Sequence, residues 1–307
     1  MTDVLVAREL GRYYGQVVGL NEVSLTIGPG VTGLLGPNGA GKSTFLKLIV
    51  GEIQPTRGEV AVLGERPFAN QRLFRRLGFC PQQDAVYETM TGFEFVAFLL
   101  RLHGYGRAES RERAERALGR VRMTESMHRR TGGYSKGMRQ RVRIAQAIAH
   151  DPELIVLDEP LNGLDPLGRR EILDLMRELG DAGVHVLISS HVLHEVQDLT
   201  EEIVLLHRGR LLAQGTVPEV RRLLTSFPRK VEIEALDPRR LAGALVPWED
   251  VRAVRIDQDA GRVTVETADA DRFHRRLTAL AARDGFGVRS LESVDAGLEA
   301  VFDYLVE

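Results

Sequence analysis

Cysteine is nearly absent from the chain: Cys80 is the single one among 307 residues. That excludes an intramolecular disulfide framework and fits a reducing compartment. Neither sign of charge is in excess, with 41 Lys+Arg against 43 Asp+Glu and a net of −2. A globally basic nucleic-acid or anionic-lipid binder is therefore excluded. Lysine is scarce within the basic set: Lys42, Lys47, Lys136 and Lys230 stand against 37 arginines. Long apolar runs are missing too. The longest uncharged stretch, Val23 to Gly41, contains six glycines, Pro29 and Pro37. It cannot form the ~20-residue apolar helix that crosses a bilayer. The start, Met1-Thr-Asp-Val4, lacks the basic and apolar regions of a secretory leader. The expectation is a cytosolic protein, or one held at a membrane through a partner.

What is present is an ordinary globular balance, 43% hydrophobic and 27% charged. The length suggests about two domains at ~150 residues each. Strand-like runs occur at Val4–Val6, Val17–Leu20, Val23–Ile27 and Val31–Leu35, followed by Phe45, Leu46 and Ile49 at helical spacing. Residues 88–130 read mostly as helix. Apolar strands recur at Leu154–Leu157, Val184–Ser189 and Ile203–Leu206 with helical segments between them. This alternation predicts an α/β core with a largely parallel sheet. The pattern changes near Ser226-Phe-Pro228. Beyond it, strands at 230–236, 251–256, 262–267 and 288–291 and helices at 237–245 and 271–283 give the order βαββαβ, a ferredoxin-like arrangement. Leu298, Val301, Phe302 and Leu305 add a closing helix. The expected domains are 1–225, with a helical subdomain at about 88–150, and 228–307. The second carries 12 basic and 16 acidic residues, net −4, which excludes a nucleic-acid arm.

The glycine-rich stretch carries chemistry. Gly36, Pro37, Asn38, Gly39, Ala40, Gly41, Lys42, Ser43 and Thr44 match the P-loop pattern in full, between a predicted strand and a predicted helix. Its glycines let backbone N–H groups approach phosphate oxygens, and the helix N-terminus adds its positive end. Lys42 is expected to reach the β- and γ-phosphates, and the Ser43 hydroxyl to hold magnesium. The bland alternative is a glycine-rich turn that binds nothing. In Leu154-Ile-Val-Leu-Asp158-Glu159, four apolar residues bury a strand and a carboxylate emerges at its carboxyl end, where open α/β sheets place ligands. Asp158 is expected to ligate magnesium directly or through its waters, and Glu159 to polarise a water aimed at the γ-phosphate. Taken alone, the pair could be a strand with a capping aspartate. The two motifs together indicate a nucleotide hydrolase or kinase.

Tyr134-Ser135-Lys136-Gly137-Met138-Arg-Gln-Arg, starting 24 residues before Asp158, narrows the class. The segment resembles the signature motif of the ATP-binding cassette (ABC) family, in a variant similar to that of bacterial exporter-type ATPases. It departs from the commoner form at Lys136 and Met138. The resemblance covers about residues 3–220. It implies a P-loop NTPase cassette with a parallel-sheet core, an antiparallel β subdomain and a helical subdomain. It further implies that Gln82 (or its neighbour Gln83) is the glutamine that contacts magnesium or water. Asn162-Gly-Leu-Asp165 matches the D-loop, with Asp165 toward the nucleotide. His191 matches the switch histidine, and Tyr14 (or Tyr13) the aromatic that stacks on adenine.

In that family ATP lies between the P-loop of one subunit and the signature of another. The resemblance thus implies a head-to-tail dimer, a homodimer in the simplest case, with Ser135 and Gly137 supplied by the partner. It implies ATP and Mg2+ as cofactors and a separate membrane permease that would hold the chain at the cytoplasmic face. The tail resembles the accessory domain of exporter-type ATPases and is expected to stabilise the dimer or regulate its closure. Related ATPases of DNA repair carry a long coiled-coil insertion that the span from Ser43 to Ser135 is too short to hold. Iron–sulfur assembly ATPases lack such a tail. No nucleic-acid partner is expected. Three features take bland readings: His194 as a helix-surface residue, Cys80 as a buried thiol, and Arg139, Arg141 and Arg143 as an exposed or interfacial helix face.

Overall fold

The computed structural model describes residues 3–83, 86–223, 229–257 and 260–293. The first part of the chain runs β1 (Leu5–Tyr14), β2 (Val17–Ile27), β3 (Val31–Leu35), α1 (Lys42–Ile49), β4 (Arg57–Val62), α2 (Gln71–Phe74) and β5 (Leu77–Cys80). There follow α3 (Gly92–Leu102), α4 (Arg107–Arg120), α5 (Lys136–Ile148), β6 (Leu154–Leu157), α6 (Pro166–Asp181), β7 (His185–Ser190), α7 (Leu193–Gln197), β8 (Glu202–His207), β9 (Arg210–Thr216) and α8 (Val217–Leu223). The last part is β10 (Arg229–Ala235), α9 (Pro238–Leu245), β11 (Val251–Asp257), β12 (Arg262–Thr267), α10 (Ala270–Asp284) and β13 (Val288–Ser293). Contacts divide the chain into two compact units, Met1–Val217 and Pro218–Glu307. The junction expected near Ser226 and the closing helix at Leu298–Leu305 lie outside the described residues.

The first unit has the expected three parts. A six-stranded sheet of order β5-β6-β7-β3-β8-β9 is parallel except for β9, which pairs antiparallel with β8. The inner strands read as unbroken apolar runs because both faces are covered; all four residues of β6 are buried. An antiparallel sheet of order β2-β1-β4 forms the β subdomain. Its first strand is far longer than the Val4–Val6 run, since register shifts let polar residues through Tyr14 stay paired. Phe45, Leu46 and Ile49 of α1 are fully buried between these sheets, with Leu20, Val23, Val62 and Leu206 in the same core.

The helical subdomain is three helices inserted between β5 and β6. Thr91 starts α3 with a capping box: its hydroxyl accepts from Glu94 N–H at 3.1 Å, and Glu94 accepts from Thr91 N–H at 2.8 Å. Phe93 and Phe95 go into the core, while Phe98 and Tyr87 stay exposed. α5 lies against β5. Gln146 Nε2 donates to Phe79 O at 2.6 Å, and Gln140 Nε2 reaches Cys80 Sγ at 3.8 Å. Of the three arginines expected on an exposed or interfacial face of α5, Arg143 is instead enclosed by this packing. Arg143 is buried, and Arg141 pairs with Glu171 at 2.7 Å, because α5 is covered by α3 and α4 as well as by β5.

His150, just after α5, is buried, with Nε2 3.1 Å from Leu77 O and its ring 4.4 Å from that of His103. Burial, and next the charge of His103, hold its pKa down to about 4. The unfolded chain takes up this proton near pH 6.5, so stability is whole above that pH and falls as pH drops toward 4. The loss attributable to His150 is up to about 3 kcal/mol. Urea unfolding at pH 7 and pH 4.5 is expected to show a smaller acid penalty in His150→Gln, whose amide can still donate to Leu77. Equal penalties in the two proteins would refute the assignment.

In the second unit, β11-β12-β10-β13 form an antiparallel sheet. Chain order and sheet order together are those of a ferredoxin-like βαββαβ fold. Alternation decides its faces. Val231, Ile233, Val263 and Val265 point inward onto Leu241, Leu245, Phe273 and Leu277 of α9 and α10.

Candidate active site

The P-loop leaves the carboxyl end of β3, which lies between β7 and β8. Two of its glycines are fixed by what surrounds them. A Cβ on Gly36 would fall 2.4 Å from Leu206 O, and one on Gly41, at φ +101°, would fall 2.7 Å from Gly19 O. The turn between β8 and β9 braces the loop from behind. Gly209 N–H donates to Ala40 O at 2.9 Å, and Gly209 O accepts from Asn21 N–H at 2.7 Å. Gly41 caps α1 without a side chain, so the N–H groups of the first helical turn stay available to an anion.

A cleft of about 430 Å³ opens over this loop. It is lined by Tyr14, Val17, Val18, Gly19, residues 37–44, Gln82 and Glu159. Of the two adjacent glutamines, Gln82 lines the cleft and Gln83 does not. Tyr14 lines it, whereas the Tyr13 hydroxyl donates to Asn21 Oδ1 at 2.8 Å. Val17 and Val18, exposed beside Tyr14, were not anticipated. Two solvent-facing valines at a hairpin tip were the available signal.

The deep end is polar and buried. Lys42 is 6% and Glu159 also 6% exposed. Lys42 Nζ donates to Gly36 O at 2.6 Å and lies 3.3 Å from Glu159 Oε1. Glu159 Oε2 lies 2.8 Å from His191 Nδ1 and 3.4 Å from Asn162 Nδ2. Asp158, also buried, accepts through Oδ1 from the Ser189 hydroxyl at 2.7 Å, and its N–H donates to Cys80 O at 2.8 Å. Burial pushes the Cys80 thiol up to about 11, so it is no nucleophile at neutral pH.

Gly36, Asp158, His191, Ser135, Gly137 and Asp165 are anticipated site residues that do not line the cleft, and the last three serve other parts of the fold. Ser135 is exposed and caps α5, accepting from Met138 N–H at 3.2 Å. Gly137 packs on the D-loop, where a Cβ would meet Gly163 O at 3.2 Å. Asp165 caps α6, accepting from Gly168 N–H at 3.0 Å ahead of Pro166. The side chain of His194 lies outside the described ones.

These residues fit a nucleotide triphosphate with magnesium. The uncapped N-terminus of α1 and the Lys42 ammonium suit phosphate, and the apolar tip with Tyr14 suits a base. Among the described residues no group of three or more His, Cys, Asp or Glu could hold a metal by itself. A magnesium bound together with a triphosphate would be carried mainly by phosphate oxygens and waters.

The family described as ABC transporter matches residues 20–162. The chain is 43% identical over 270 residues to the uncharacterized ABC transporter ATP-binding protein YxlF of Bacillus subtilis, covering 88% of each chain. It is 32% identical to the daunorubicin/doxorubicin resistance ATP-binding protein DrrA of Streptomyces peucetius, over 98% of this chain and 92% of that one. Among solved structures it resembles the dimeric MJ0796, a bacterial ABC transporter cassette. The TM-score is 0.66 at 26% identity, over 69% of this chain and 98% of that one. A P-loop cleft ending in a buried lysine–glutamate pair, on a fold and sequence shared at this level, places the chain in the ABC transporter ATP-binding family, as an ATPase.

Proposed function

We propose that the chain hydrolyses MgATP at two composite sites of a head-to-tail homodimer and so drives export through a separate membrane permease. The observation that carries this reading is the division of the nucleotide residues. The cleft holds the P-loop, Gln82 and Glu159, while Ser135 and Gly137 stand away from it on the exposed start of α5. In this reading the Ser135 hydroxyl, while accepting from Met138 N–H, donates to the γ-phosphate held by the other molecule, and the helix start adds its positive end.

In this reading Tyr14 stacks on adenine, the backbone of residues 36–44 cradles the phosphates, and Lys42 turns from Gly36 O and Glu159 to the β- and γ-phosphates. Ser43, Asp158 and Gln82 would hold magnesium, which would supply charge neutralisation at the phosphate oxygens. Glu159 takes the proton of the attacking water, and His191 donates to the γ-phosphate. Ser135 and Gly137 of a second copy close the other side.

No helix among the described residues is long and apolar enough to cross a membrane. In this reading the permease is a separate polypeptide and the chain sits peripherally at the cytoplasmic face. Similar proteins include DrrA, named for daunorubicin/doxorubicin resistance, and BcrA of Enterococcus faecalis, named for bacitracin transport. Their names support export of an amphipathic, antibiotic-like compound.

Complementation tests the composite site. Lys42→Ala and Ser135→Arg homodimers are each expected to be inactive. Their mixture contains heterodimers with one intact P-loop facing one intact signature. Mixing is expected to restore at least a tenth of parental ATPase. A mixture as inactive as its components would show that each chain completes its own site.

A further inference from the structure

We infer that Ser189 is a positioning residue that aims both carboxylates of the site, through two hydrogen bonds made by one hydroxyl. The inference rests on the roles proposed for Asp158 and Glu159.

The strands dictate the encounter. β6 and β7 are parallel, with Leu157 opposite Ile188. The next residues on each, Asp158 and Ser189, therefore meet at the carboxyl edge of the sheet. Ser189 is fully buried. Its Oγ–H donates to Asp158 Oδ1 at 2.7 Å, and its oxygen accepts from Glu159 N–H at 2.9 Å. A hydroxyl has a single proton to give. With that proton committed to Oδ1, the Asp158 carboxylate is fixed in rotation and its second oxygen is left for magnesium or its waters.

The accepted bond acts on the backbone. Glu159 has φ +51°, a left-handed conformation that non-glycine residues hold only where the surroundings impose it. This kink turns the chain off β6 and brings the Glu159 carboxylate to Lys42 and His191. Ser189 Oγ holds the N–H on which the kink turns. The adjacent hydroxyl does something else: Ser190 accepts from Val192 N–H at 2.9 Å and donates to Val192 O at 3.1 Å, serving the start of α7. Only the first serine of the pair faces the carboxylates.

The test compares Ser189→Thr with Ser189→Val in the full chain. The two side chains have the same shape and differ by a hydroxyl. Two readouts are taken: steady-state ATPase, and equilibrium binding of a non-hydrolysable ATP analogue with Mg2+ and with EDTA. Removing the partner of a metal-side carboxylate commonly costs about 10- to 100-fold. The Thr variant is expected to exceed the Val variant at least tenfold in kcat, with KM for MgATP within about threefold. In EDTA both bind the analogue equally; with Mg2+ the Val variant loses about tenfold of the gain in affinity that the metal confers. Ser189→Ala, which adds no atoms, gives the same readouts should valine disturb the strand. Equal kcat and equal metal gain in hydroxyl and non-hydroxyl variants would overturn the inference, as would a loss of equal size in EDTA. Glu159→Gln is run alongside. If it keeps parental turnover, the underlying site reading fails; if it is inactive while the Ser189 variants are alike, only the present inference fails.

Discussion

Replacing Glu159 by glutamine is expected to leave a protein that binds ATP and turns it over about a thousandfold more slowly, within the range for loss of a positioned base. The amide has the shape of the carboxylate and keeps a hydrogen-bonding oxygen, but it cannot take a proton from water. A second effect follows from the pairing in the deep cleft. Glu159 Oε1 lies 3.3 Å from Lys42 Nζ, both side chains being buried. Phosphate must draw the ammonium away from that carboxylate, and the amide competes far less. ATP affinity is therefore expected to rise, and the loaded form to persist as a dimer. Phosphate release, equilibrium ATP binding and size-exclusion chromatography with ATP check the three parts. Turnover at the parental rate would remove Glu159 from its role.

Lys42→Ala acts on both ends of the same pair. A charge-assisted hydrogen bond is worth about 1.5–3 kcal/mol, so losing the ammonium is expected to weaken ATP binding by about 100-fold. It also leaves Glu159 buried with His191 and Asn162 as its side-chain neighbours, and an uncompensated buried charge costs about 3–5 kcal/mol. Lys42→Ala is thus expected to be destabilised as well as weak in binding. The double variant with Glu159→Gln should recover much of the stability and none of the affinity. Urea unfolding and ATP titration separate the two effects. Undiminished ATP affinity in Lys42→Ala would refute the phosphate role.

What could be read in advance follows from how local each signal is. The P-loop is contiguous, and its glycines, lysine and serine act through backbone turns within nine residues. The ferredoxin-like unit was readable because Val231, Ile233, Val263 and Val265 alternate on single strands. Ser189 was not readable. Its partners lie about thirty residues away on a neighbouring strand, and only the parallel register brings them together. The brace from Gly209 to Ala40 is equally non-local. Arg143 was misjudged for a related reason: composition shows that α5 is basic, and only the packing of α3, α4 and β5 shows which arginine is enclosed. Asp165 carries a D-loop motif and a helix-capping position at once, and no pattern in the chain separates the two.

α5 also has the form of a mechanical part. Its thirteen residues make a rod about 20 Å long. One end is capped by Ser135. Further along, Gln140 and Gln146 are tied to Cys80 and Phe79 of β5, two residues short of Gln82. In the proposed head-to-tail pair, the capped end of each rod would serve one nucleotide and its tethered side the other. A shift of Gln82 at the first nucleotide would then travel along the rod to Ser135 at the second. Two such rods, exchanged between subunits, would let each site feel the nucleotide held at the other.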